Sequence, residues 1–157
     1  MRRKSLGAVA AAGAVAVTVW MVSAEGEAAD AGLFPYRDAK AVARGKEIYG
    51  DFCASCHGVN LEGQENWRGG RDEDGLALAP PHDASGHTWH HPDQQLFLIV
   101  KHGTEALVGG DYKSAMIGFQ DSLSDAEIRE VMAFIKSTWP EEVIETHNGI
   151  NQQAASQ

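Results

Sequence analysis

Cysteine is scarce in this chain. Its 157 residues include two, Cys53 and Cys56. Zinc asks for four ligands, and no second cysteine pair exists to complete such a site. Strand-like alternation of apolar and polar residues is also absent. A thioredoxin-like redox pair wants a βαβ setting, so that use of the two thiols lacks its context. Positive charge is in short supply as well. Beyond residue 24 there are 10 basic against 22 acidic side chains, a balance of −12. So acidic a surface argues against nucleic acid and against an anionic membrane face. It favours protein partners that offer a basic docking surface.

Long apolar runs are confined to the start. Arg2, Arg3 and Lys4 precede an uncharged Ala/Val/Gly-rich stretch from Leu6 to Val22, and Val22-Ser23-Ala24 resembles an A-x-A cleavage site. Residues 1–24 therefore have the form of an export signal, with cleavage after Ala24 expected. Left uncleaved, the same stretch sits at the lower length limit of a membrane span and would tether the protein to the inner membrane. Both routes place the domain in the periplasm, where free thiols are ordinarily oxidised or otherwise occupied.

What the chain does have is Cys53-Ala54-Ser55-Cys56-His57. C-x-x-C-H is the spacing of covalent c-type haem attachment. On a helical turn, positions i, i+3 and i+4 share one face. Two thiols can then reach the two vinyl groups of one haem edge, and the imidazole can reach iron from the same side. The expectation is one haem c held by two thioethers from Cys53 and Cys56, with His57 as an iron ligand.

Around the motif the patterning is helical. Asp38 is a good N-cap for a helix carrying Val42, Ile48, Tyr49 and Phe52. A second helix fits 92–102, with Gly103 as its stop. Ser124-Asp125-Ala126-Glu127 is a capping box ahead of the stripe Ile128, Val131, Met132 and Ile135, and Pro140 ends that run. Residues 25–37 have the composition of a linker, and the polar segment 141–157 that of a flexible tail. Between the helices, 58–91 and 104–123 are long irregular stretches. The expected domain spans 38–140 and is all-α, with three main helices and long loops around one haem. Three short helices make a thin core, which a buried macrocycle would fill out.

Four methionines are available as a second iron ligand: Met1, Met21, Met116 and Met132. The first two lie in the export segment, and Met132 shares the stripe of a capped helix. Met116 lies in a loop and can swing over a haem face, so it is the expected ligand. His102 and His147 are its rivals. His82, His87, His90 and His91 crowd one loop. They are expected to bond backbone groups or haem propionates, and a copper site is the competing reading. Trp139 is expected in the core. Trp89, ahead of Trp67, is expected to donate its indole N–H to a propionate.

These pieces, in order, resemble a class I bacterial cytochrome c over residues 38–140. They are Gly45-Lys46-Glu47-Ile48-Tyr49-Gly50, Cys53 to His57, Ala79-Pro80-Pro81, Met116-Ile117-Gly118-Phe119 and the helix Val131 to Lys136 closing at Trp139-Pro140. Ile117 stands where that family often has proline. The resemblance implies that Gly45 lets the first helix cross the last closely, with Tyr49 and Phe134 at the crossing. It implies that Pro80 offers its carbonyl to His57. It also implies His/Met ligation by His57 and Met116, and a mono-haem electron carrier rather than an enzyme. Electrons would pass between respiratory donors and acceptors such as a bc1-type complex, a dehydrogenase or an oxidase. The competing functions are a haem peroxidase, a copper-handling protein using His82–His91, and a fixed haem subunit of a dehydrogenase complex.

Overall fold

The computed structural model describes residues 32–157, so residues 1–24, expected to be an export signal, lie outside the described residues. Among the described residues six α-helices follow one another: α1 (Ala39–Phe52), α2 (Ala54–His57), α3 (Asp93–His102), α4 (Thr104–Val108), α5 (Asp125–Ser137) and α6 (Glu141–Ala155). A 3-10 turn covers Thr88–His90. Among the described residues β-pairing is limited to isolated bridges, such as Gly103 with Ile117. The all-α expectation holds. None of the described helices is long and apolar enough to cross a membrane.

The helix starts follow local chemistry. Asp38 accepts hydrogen bonds from the Lys40 and Ala41 amides at 2.8 and 3.3 Å, opening α1. At α5 the Ser124 hydroxyl accepts from the Glu127 amide while the Glu127 carboxylate accepts from the Ser124 amide. This is a complete capping box. Pro92 is the N-cap residue of α3, and Gly103 stops that helix at φ +84°.

The core forms where α1 crosses α5. A Cβ at Gly45 would strike the backbone carbonyl of Glu130, so only glycine permits so close an approach. Tyr49 and Phe134 meet beside it with ring centroids 5.4 Å apart. Ile48, Ile128, Val131, Met132 and Ile135 are buried around the crossing, and Leu96, Phe97 and Val100 bring in α3. Each such side chain contributes roughly 1.5–3 kcal/mol by leaving water.

Three segments depart from expectation, the shortest being Thr104–Val108, which forms α4 at the start of the stretch expected to be irregular. Residues 141–157 do not form a flexible tail: α6 occupies most of that span and buries Ile144, His147 and Asn151. Its inward face is half polar, which hid its period in the sequence. Pro140, expected only to stop α5, also serves as the N-cap residue of α6. The end of the supposed 25–37 linker is core as well, with Phe34 and Tyr36 buried.

A buried polar knot joins α6 and the segment before α1 to α3. Asp93 Oδ2 accepts from the Leu33 amide at 2.6 Å, and the Asp93 amide donates to Asn151 Oδ1 at 2.8 Å. His147, fully buried, lies 3.3 Å from Asp93 Oδ1 and 2.9 Å from the His91 carbonyl through Nε2. Lys136 of α5 sits over the Tyr36 ring and donates to Asn148 Oδ1 at 2.7 Å. Burial, and then the Lys136 charge, hold the His147 imidazole below its ordinary value, against the opposing pull of Asp93 and the His91 carbonyl.

A lowered native pKa means that the unfolded chain binds the extra proton more readily. The stabilisation from His147 is therefore complete above about pH 6.5 and drains away as pH falls toward the lowered native value. His147→Gln is expected to cost about 1–3 kcal/mol near neutrality through broken buried hydrogen bonds. It should also shrink the acid-side slope of unfolding free energy against pH. Urea unfolding at several pH values measures both, and an unchanged slope would contradict the assignment.

Candidate haem site

The C-x-x-C-H motif is one helical turn set against the end of α1. Cys53 is the C-cap residue of α1, and its amide donates to the Tyr49 carbonyl at 2.9 Å. The Cys53 carbonyl then accepts from the Cys56 amide at 3.1 Å and the His57 amide at 2.9 Å. These bonds bring Cys53, Cys56 and His57 onto one face, as the spacing predicts. Gly58, at φ +81°, ends the turn, and the Tyr49 hydroxyl donates to its carbonyl at 2.9 Å.

His57 is buried. Its Nδ1 lies 2.8 Å from the Pro80 carbonyl. A carbonyl can only accept, so Nδ1 carries the proton and Nε2 keeps a lone pair, the form a metal-binding imidazole needs. The Pro80 role implied by the resemblance is present in the geometry. Desolvation, opposed by the Pro80 bond, holds the His57 pKa below its ordinary value, and that lowering favours the neutral imidazole that a metal binds.

The two thiols differ. Cys56 is exposed, while Cys53 is half-buried, and neither is in a disulfide. Burial, with a smaller contribution from Cys56, pushes the Cys53 thiol up to about 12. A reactive redox pair needs a lowered thiol pKa in electropositive surroundings. Cys53 has the opposite setting, which suits a thiol that ends as an uncharged thioether.

Met116 lies in the segment between α4 and α5. Its amide donates to Ser114 Oγ at 3.0 Å and its carbonyl accepts from the Thr104 amide at 3.2 Å. Phe119 and Gln120 donate to the Val100 and Lys101 carbonyls, which pins the segment to the end of α3. Phe119 also meets Phe52 edge-on, with ring centroids 6.1 Å apart, so the methionine segment touches the end of α1, which leads into the motif. Met116 is half-buried against the core and borders a cavity of about 550 Å³, also lined by His102, Glu105 and Ile117. Met132 is buried among the helices, as expected.

The crowded histidines separate into different roles. His82 stacks on His57, His87 on Trp67 and His90 on Trp89. The His91 carbonyl accepts from His147. Among the described residues no group of three or more His, Cys, Asp or Glu side chains is arranged to hold a metal ion. Two indoles are likewise committed. Trp89 donates to the Ala84 carbonyl at 3.2 Å rather than being left for a propionate, and Trp139, a core residue, donates to the His82 carbonyl at 2.8 Å. The stacking of His82 on His57 was not foreseen. Its position just after Pro80-Pro81 was the one available signal.

The sequence model of the family described as "Cytochrome c" matches residues 42–139. The chain belongs to the cytochrome c family. The match covers more than half of the chain and includes all but the first turn of α1, the motif, the methionine segment and α5. α6 lies beyond it. No curated protein and no solved structure matches the chain. Membership brings a covalently bound haem c, and Cys53 and Cys56 fit its attachment. His57, oriented by the Pro80 carbonyl, has the imidazole nitrogen such a group would take. The haem supplies reversible one-electron chemistry at iron.

Protein matured in a host that attaches haem is expected to keep its colour on the polypeptide through acid–acetone extraction. Cys53→Ala or Cys56→Ala should leave at most one thioether and cut the yield of folded protein. Full extraction of haem from the parent protein would contradict covalent attachment.

Proposed function

We propose that this cytochrome c is a periplasmic mono-haem electron carrier, ligated by His57 and Met116, that shuttles single electrons between respiratory donors and acceptors. The observation that carries the reading is the His57–Pro80 bond within a C-x-x-C-H turn, because it leaves one imidazole nitrogen for iron and fixes its direction. Met116 is supported as the second ligand by its place in an irregular, half-buried segment beside a cavity. His147, one rival, is engaged with Asp93 and the His91 carbonyl. Met132 is packed in the core. Six-coordinate His/Met haem has no open position for a substrate, so the reading is transfer rather than transformation. Export through residues 1–24 supports a periplasmic or inner-membrane-tethered location. A fixed place in a dehydrogenase complex would change the partner and leave the chemistry as it is. Among His82, His87, His90 and His91 only the His87 and His91 rings meet one another, and no group of three such ligands forms among the described residues, which weighs against the copper-handling reading.

Met116→Ala is expected to abolish the near-infrared sulfur-to-iron band of the ferric protein, admit carbon monoxide or cyanide, and lower the potential. Met132→Ala should keep the band and lose roughly 2–5 kcal/mol of stability as a core truncation. The reverse pattern would overturn the ligand assignment.

The balance of −12 beyond residue 24 supports docking on a basic partner face. Second-order electron-transfer rates with such a partner should fall as salt rises, because screening weakens attraction between opposite charges. Stopped-flow rates across an ionic-strength series test this, and a rising rate would mean like-charged partners.

A further inference from the structure

His82 is unlike the other histidines of its loop because it lies flat on His57. The two ring centroids are 3.8 Å apart and the planes differ by 16°. Tyr49 abuts the His82 ring edge-on from α1, at 5.9 Å and 65°. The His82 backbone is held at both ends: its amide donates to the Leu61 carbonyl at 2.8 Å, and its carbonyl accepts from the Trp139 indole at 2.8 Å. The residue before it, Pro81, accepts from the Thr88 hydroxyl and amide-bonds directly to Pro80, whose carbonyl holds His57. One short segment therefore meets His57 twice, through the Pro80 carbonyl at the ring edge and through the His82 ring at its face.

The His82 Nδ1 is buried and has no hydrogen-bond partner. A buried polar atom left unsatisfied keeps its desolvation penalty without the compensating bond. An apolar side chain of similar size would avoid that cost, so packing alone does not account for histidine here. What a leucine or isoleucine lacks is a flat face.

We propose that His82 is a positioning residue that fixes the rotation of the His57 ring about its bond to iron. The Pro80 bond sets the direction of one ring atom, and the stack removes the remaining tilt. Ring orientation governs how the imidazole π-system overlaps the iron orbitals, so it shapes the magnetic anisotropy and the potential of the haem. A ligand backed by a rigid plate also moves little when the iron changes charge. The inference rests on the reading of His57 as an iron ligand.

The test uses the holoprotein and two variants. His82→Leu keeps the volume and loses the flat face, while His82→Phe keeps a flat face and loses both nitrogens. Low-temperature ferric electron paramagnetic resonance and the paramagnetic NMR shifts of the haem methyl groups report ring orientation, and thermal unfolding reports stability separately. His82→Leu is expected to move the largest g value and to redistribute the methyl shifts. His82→Phe should restore both toward the parent pattern, whatever its melting temperature. Parent-like spectra in His82→Leu, or an equal displacement in both variants, would overturn the proposal. If His82→Leu yields no holoprotein, His82→Ile takes its place under the same comparison. A parent protein without a low-spin ferric haem would instead overturn the ligand reading beneath it.

Discussion

The hydrogen bond from His57 to Pro80 is the constraint on which the rest of the molecule turns. It spans 23 residues of sequence and closes the loop that follows the C-x-x-C-H turn. Without secondary structure of its own, that loop takes its shape from such ties. Gly63 donates to the His57 carbonyl, Gln64 to the Ala79 carbonyl and His82 to the Leu61 carbonyl, so the two arms of the loop are laced together near the motif. Gly63 itself is at φ +68°, and a Cβ there would run into the Pro80–Pro81 backbone. The loop can thus lie close beneath the imidazole only with glycine at this position. A ligand whose second nitrogen is bound by such a frame needs little reordering when metal arrives.

Much of this was legible from the residues. C-x-x-C-H names its chemistry because three functional groups must share a helical face, and a helical face is set by spacing alone. The capping box at Ser124 and the N-cap at Asp38 are local signals, satisfied within three residues, and both stand as expected. Gly45 and Pro80 were placed by family resemblance, and the close crossing and the carbonyl bond are both present.

What escaped the sequence has a common cause. α6 packs through His147 and Asn151 as much as through Ile144, so its inward stripe carries no apolar signature. The segment before α1 looked like a linker because only Phe34 and Tyr36 mark it as core, and their anchor is the carboxylate of Asp93, 59 residues away from Phe34. The His82–His57 stack likewise joins residues distant in the chain. Each of these features depends on polar or aromatic groups meeting across long sequence separations. Periodicity records the solvent and core faces of one element, and it carries nothing about which distant group will satisfy a buried polar atom.

Trp139 gives the outer helix a mechanical route inward. Its indole holds the His82 carbonyl, its ring meets His147 of α6 at 5.1 Å and 87°, and Pro140 follows it directly. α6 is thus spliced at Pro140 to the residue that braces the His82 carbonyl, and one side chain stands between that helix and the loop that holds the His57 ring. Shortening the chain at Pro140 would strip His147 from the Trp139 ring and leave the brace without its outer cover.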